Sequence, residues 1–216
     1  MSLLTLKFSR LLLAAGLVAG TLAVTGGALI SKEVSAQNGP SVARATFMAD
    51  GKVQQPVNWR QWVFVGTPLT PNALNDGKAA FPEFHNVYIE PGAYAHYART
   101  GEFPEGTQIA KELVMIRAPD GANKDGSTDE VSGTGYFQGE FVGLELTVKD
   151  TKRFAKEPGG WAYFSFGHKG QPYAKTAAAF PTKSCNACHA AAAAQDFVFT
   201  QFYPVLRAAN PKKMEK

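Results

Sequence analysis

The chain of 216 residues is poor in the side chains that most often build metal and redox centres: two cysteines, four methionines and four histidines. Two thiols exclude a disulfide-rich scaffold and a four-cysteine zinc site. Charge is scarce as well, at 19% of residues with a formal net charge of +4. Beyond residue 36 there are 19 basic against 17 acidic side chains, which leaves no electrostatic footprint for nucleic acid. Only one long uncharged run occurs, residues 11–30, so no second membrane span is expected. What is present is a globular composition, 45% hydrophobic and 12% aromatic, enough for one core of ordinary size.

Residues 1–36 read as an export signal. Lys7 and Arg10 precede the uncharged run, and Val34-Ser35-Ala36 offers small residues to a signal peptidase. An uncleaved membrane anchor is the alternative for a run of that length. The signal is of bacterial type, so a periplasmic protein beginning near Gln37 is expected. Residues 37–55 are polar and rich in small side chains, the pattern of a flexible arm, and residues 56–216 are expected to form a single domain.

Within that domain, residues 62–66 and 81–89 read as extended, and Pro91 opens a short helix that Gly101 stops. Residues 111–117, 136–148 and 160–166 read as further strands, with Gly139 and Gly143 marking bulges or a close approach. Residues 119–135 read as a flexible loop, residues 151–156 as a short helix capped by Asp150, and residues 190–209 as helical with Phe197, Phe199, Phe202 and Leu206 inward. Crossover helices do not separate the strands regularly, which excludes a doubly wound parallel sheet. The expected fold is mainly β (α+β): an antiparallel sheet with flanking short helices and a C-terminal helical segment that carries Cys185 and Cys188.

Both cysteines lie in one string, Cys185-Asn186-Ala187-Cys188-His189. This is the pattern that attaches a c-type haem covalently: two thiols add to the two vinyl groups and the adjacent histidine reaches the iron. The competing readings are weaker, since no second cysteine pair exists for zinc and a redox pair belongs to a different architecture. Position adds information. Only 27 residues follow His189, and the methionines left after export, Met48, Met115 and Met214, are poor sixth ligands: one in the arm, one in a core strand and one in the tail. An open sixth position is expected, and open haem iron binds or transforms a small ligand.

Of the other histidines, His96 reads as exposed on the short helix and His168 as part of a solvated turn. His85 differs, because alternate residues of an extended run share a face and Phe81, Glu83, His85, Val87 and Ile89 would point the same way. An acid and an imidazole would then stand together among apolar groups. Alternation leaves open which face is buried, so a surface pair is the competing reading.

Residues 59–209 resemble the cytochrome P-460 proteins and their relatives, the cytochromes c′-beta. The resemblance runs through Trp62-Val63-Phe64-Val65-Gly66-Thr67, Gly101-Glu102-Phe103, Gly106-Thr107, Lys111-Glu112-Leu113, Gly135-Tyr136-Phe137, Gly143-Leu144-Glu145, Val148-Lys149-Asp150, the haem string and Phe202-Tyr203-Pro204-Val205-Leu206-Arg207. It implies a homodimeric periplasmic protein with one haem c, His189 proximal, and a soluble cytochrome as electron acceptor. It also implies a covalent bond from Lys111 to a porphyrin meso carbon, which the c′-beta relatives lack. Only a neutral amine can form that bond, so an apolar wall around Lys111 is expected. A solvated strand lysine is the ordinary alternative.

Two departures from the family pattern concern activity. Hydroxylamine-oxidising members place an arginine over the distal face where this chain has His85, and a carboxylate just before the haem string where this chain has Ala177-Ala178-Ala179-Phe180-Pro181. The expected catalytic set is Lys111, His85 and Glu83, with Phe180 as a haem-contacting wall. The expected activity is oxidation of hydroxylamine, with nitric oxide, toward nitrous oxide or more oxidised products. The alternative is a nitric-oxide-binding protein similar to the c′-beta cytochromes.

Overall fold

The computed structural model describes residues 39–213. The expected export segment and Met214 lie outside the described residues. Strands β1 (Val53–Gln54), β2 (Val63–Gly66) and β3 (Phe84–Ile89) lead into helix α1 (Pro91–Thr100); then follow β4 (Gln108–Ile116), β5 (Thr128–Glu130), β6 (Gly133–Gly135), β7 (Gln138–Lys149), β8 (Trp161–Ser165) and β9 (Thr176–Ala177), and finally helices α2 (Cys185–Ala192) and α3 (Pro204–Ala209). Five strands form one antiparallel sheet in the order β2-β3-β4-β7-β8. The fold is mainly β with a few short helices, as expected.

Local chemistry accounts for α1. Pro91 stands at the first turn, the Glu90 carboxylate accepts from the Gly92 and Ala93 amides at 3.0 and 2.8 Å, and Gly101 adopts φ 70° at the stop. On the sheet, cross-strand partners share a face. One face carries the Val87, Lys111, Glu145, Ser165 row and the neighbouring Ile89, Ile109, Thr147, Tyr163 row; the opposite face carries Ala110, Leu146 and Phe164. Both faces are covered. Tyr97, Val198, Leu206 and Trp161 close the first, while Val53, Ala177, Phe166 and Tyr173 close the second. Each large side chain buried there contributes about 1.5–3 kcal/mol.

The segment expected as a loose arm is packed. Val53 is fully buried, β1 pairs with β9, and the Gln108 amide donates to the Ala43 carbonyl at 2.8 Å. Ser41 crosses α1 so closely that a Cβ on Gly92 would overlap its carbonyl. Apolar Ala45, Phe47 and Val53, spaced among polar neighbours, supply the burial that composition alone hides. The 119–135 loop contains the β5–β6 hairpin and buries Ser127 and Thr128. Residues 151–156 form turns instead of a helix, although Asp150 does accept from the Lys152 and Arg153 amides.

Residues 190–209 do not form one helix. The chain reverses after α2, where Asp196 and Phe197 take φ 43° and 60°, and Pro204 starts α3 afresh. Leu206 is buried but Phe202 is 54% exposed, and Met115, expected in the core, is 43% exposed on β4. The β4–β7 ladder shifts register at Val114, opposite the Gly143 region, as the glycines there suggested.

Candidate functional site

The haem string folds as α2, held against β8: the buried Asn186 amide donates to the Trp161 carbonyl at 2.8 Å. The His189 ring lies between Tyr163 and Phe199, each 4.4 Å away between ring centres. Its Nδ1 sits 2.7 Å from the Phe197 carbonyl oxygen. A carbonyl can only accept, so Nδ1 carries the proton and Nε2 keeps its lone pair. The positive φ of Asp196 and Phe197 turns that carbonyl toward the ring. Burial lowers the basicity of His189 from its ordinary value, which keeps the imidazole neutral and able to ligate. Cys185 is half-buried, Cys188 is exposed, and both thiols are free; burial, with Glu145 next in effect, raises the Cys185 thiol.

These features fit a haem. The neutral histidine offers one nitrogen with its other ring nitrogen held by a backbone carbonyl, the arrangement of metal-ligating histidines. The thiols precede it on the same helix. Among the described residues no group of three His, Cys, Asp or Glu side chains could hold a bare ion. His189 is a single donor, and would ligate the iron of a haem attached through Cys185 and Cys188.

Lys111 stands mid-strand on the same face of the sheet. Its ammonium is 2.6 Å from the Glu145 carboxylate on β7 and 4.5 Å from the centre of the Phe81 ring. The expected apolar wall is therefore only half realised: the ammonium meets an aromatic ring and a carboxylate. Lys111 and Glu145 both act electrostatically on His189 and on the Cys185 thiol, which places the pair beside the haem string. Glu145 was in the sequence block that carried the resemblance, but no local pattern marked it. Its cross-strand position opposite Lys111 follows only from the register.

His85 is on that face too, edge-on to Phe81 at 5.7 Å between ring centres. Burial, then the nearby Lys111 charge, pushes its pKa down to about 4, so it is neutral at pH 7. Its Nε2 is buried and has no hydrogen-bond partner. Glu83 does not pair with it. Instead, Glu83, only 5% exposed, holds His168 Nε2 at 2.7 Å through one oxygen, while its second oxygen is buried and unpartnered. His168, read from sequence as a solvated turn, is thus the partner of the candidate acid. Phe180 lies next to β8, its amide donating to the Tyr163 carbonyl at 2.8 Å, with its ring 38% exposed. No carboxylate occupies residues 177–181.

The structure brings Lys111, His85, Phe81, Glu145 and the haem string to one face of the sheet. A buried ionic cluster lies on the other: Glu112, fully buried, receives two hydrogen bonds from Arg60 at 2.8 and 2.5 Å and one from Tyr173 at 2.9 Å. No curated protein matches the chain. The model of the family Cytochrome P460 matches residues 56–200. That match covers well over half of the 216 residues, and together with a haem-attachment string set on the face that carries Lys111 and His85 it places this chain, as a haem c protein, in the cytochrome P460 family.

Proposed function

We propose that this protein oxidises hydroxylamine, in the presence of nitric oxide, at one haem c bound through Cys185 and Cys188 and ligated by His189, with Lys111 bonded to the macrocycle edge. The observation that carries this reading is the position of Lys111, on the sheet face beside the haem string, where its charge acts on both His189 and His85. The haem supplies the redox-active iron. The chain would supply the rest: His189 Nε2 to ligate the iron, neutral His85 to hydrogen-bond a small nitrogen ligand, and Phe81 and Phe180 to limit access of water.

Joining hydroxylamine and nitric oxide into nitrous oxide and water releases one proton and one electron. Glu83 accepts the proton and His168, half exposed beside it, returns it to solvent. A soluble cytochrome takes the electron. The setting is the periplasm, and the working form a homodimer.

One observation favours a second reading, a nitric-oxide-binding protein similar to the cytochromes c′-beta: residues 177–181 present Phe180 where an acid would serve as base, and Glu83 already holds His168. The test is the spectrum of the purified ferric protein with hydroxylamine and an oxidising dye. Catalytic dye reduction, dependent on hydroxylamine, supports the enzyme. A stable nitrosyl spectrum without turnover supports binding.

A further inference from the structure

We propose that Glu145 is the proton acceptor for covalent attachment of Lys111 to the haem macrocycle, so that the protein carries its own base for this self-modification. The inference rests on the Lys111 reading above and deepens it. Among the described residues, Glu145 is the only ion-pair partner of Lys111, with Nζ and carboxylate oxygen 2.6 Å apart. The two side chains stand directly across the β4–β7 ladder, so the contact is set by register and not by a mobile loop.

An ammonium has no lone pair and cannot attack carbon; it must lose a proton first. In water the ion pair is stable as it stands. Each side chain is only about a quarter exposed, 23% and 25%, and a flat apolar group added beside them removes much of the remaining solvent. A desolvated ion pair is costly, and proton transfer within it to give a neutral amine and a neutral acid removes both charges. The Phe81 ring, its centre 4.5 Å from the ammonium, takes up part of the space from which water could replace Glu145 as acceptor. Among the described residues no other acid pairs with Lys111: Glu83 meets His168 through one oxygen, and Glu112 is held by Arg60 and Tyr173 on the opposite face.

The chemistry balances with a two-electron oxidant of the peroxide class. From the ammonium, two N–H bonds and one macrocycle C–H bond break and one C–N bond forms. Glu145 takes the first proton from Nζ, and the two electrons, with the protons of the second N–H and of the C–H, reduce hydrogen peroxide to two waters.

The experiment uses protein loaded with haem in its cells of origin or by a maturation host, isolated before full cross-linking, and treated with hydrogen peroxide. Proteolysis and mass spectrometry then measure the fraction of the Lys111 peptide joined to the haem peptide over time. Glu145→Gln keeps the shape and a hydrogen-bond acceptor but cannot take a proton, and its rate should fall at least tenfold with haem content per chain unchanged. Glu145→Asp, which keeps a carboxylate, should fall between the two and decides the case should the glutamine variant fail to take up haem. Cross-linking at the wild-type rate in either variant overturns the role of Glu145 alone. A wild type that never cross-links overturns both this role and the Lys111 reading.

Discussion

His189 Nδ1 donates to the Phe197 carbonyl at 2.7 Å, and that bond decides which imidazole nitrogen is left for iron. It also ties the proximal ligand to the reversal at residues 196–197, so ligand and loop form one rigid unit.

His189 should therefore be the only protein ligand to resting iron. Met48 and Met115 are 47% and 43% exposed, and neither belongs to the cluster around Lys111. Among the described residues His85 could compete, since its Nε2 is buried and unpartnered. Resonance Raman and electron paramagnetic resonance should report five-coordinate iron in the wild type and in His85→Ala alike. Six-coordinate resting iron that becomes five-coordinate in His85→Ala would show that His85 is a ligand and not a distal hydrogen-bonding group.

The cluster on the opposite face sets stability. Arg60→Ala leaves the fully buried Glu112 carboxylate with Tyr173 as its one remaining polar partner among the described residues. Because Arg60 is itself 41% exposed, some water reaches the gap, and a loss of about 2–4 kcal/mol is expected in denaturant unfolding. Replacing both, Arg60→Met with Glu112→Leu, should cost much less. Equal losses in the single and double variants would mean that packing, and not the stranded charge, causes the effect.

Stability should also depend on pH through His85. Its imidazole titrates near 4 in the folded protein against an ordinary 6.5. Below pH 6.5 the unfolded chain takes up a proton that the folded chain refuses, so stability falls as pH drops from 6.5 toward 4 and this contribution changes no further below that. The full loss is about 3 kcal/mol. Comparing unfolding of the wild type and His85→Gln at pH 7 and pH 4.5 isolates it: the wild type should lose more than the variant, and parallel losses would refute the assignment.

How much of this was legible in the sequence depends on how local each signal is. The haem string and the start-to-stop pattern of α1, from Pro91 to Gly101, are contiguous and were readable. The shared face of Phe81, His85 and Lys111 was half readable, because alternation places residues within one strand but not across strands. Glu145 opposite Lys111, and Glu112 with Arg60, join residues 34 and 52 positions apart, and only the register supplies such pairs. The arm and the C-terminal reversal failed for a different reason. Tertiary burial of Val53 overrides a polar composition, and the His189 to Phe197 bond overrides the helix propensity of an alanine-rich run.

The distal base gives the last prediction. Hydroxylamine must lose protons as it loses electrons, and a positioned base contributes typically about a hundredfold to ten-thousandfold. Glu83 has the attributes of such a base: it is buried, one oxygen is free of partners, and His168 connects the other to solvent. Steady-state dye reduction should fall at least tenfold in Glu83→Gln. In His168→Gln, which keeps a hydrogen bond but carries no charge, the fall should be smaller and most evident at high turnover. Phe180→Glu should change the rate little where Glu83 already serves. Unchanged turnover in Glu83→Gln removes Glu83 from the reaction, and a large gain in Phe180→Glu shows that the wild-type pocket lacks its base and works chiefly by binding.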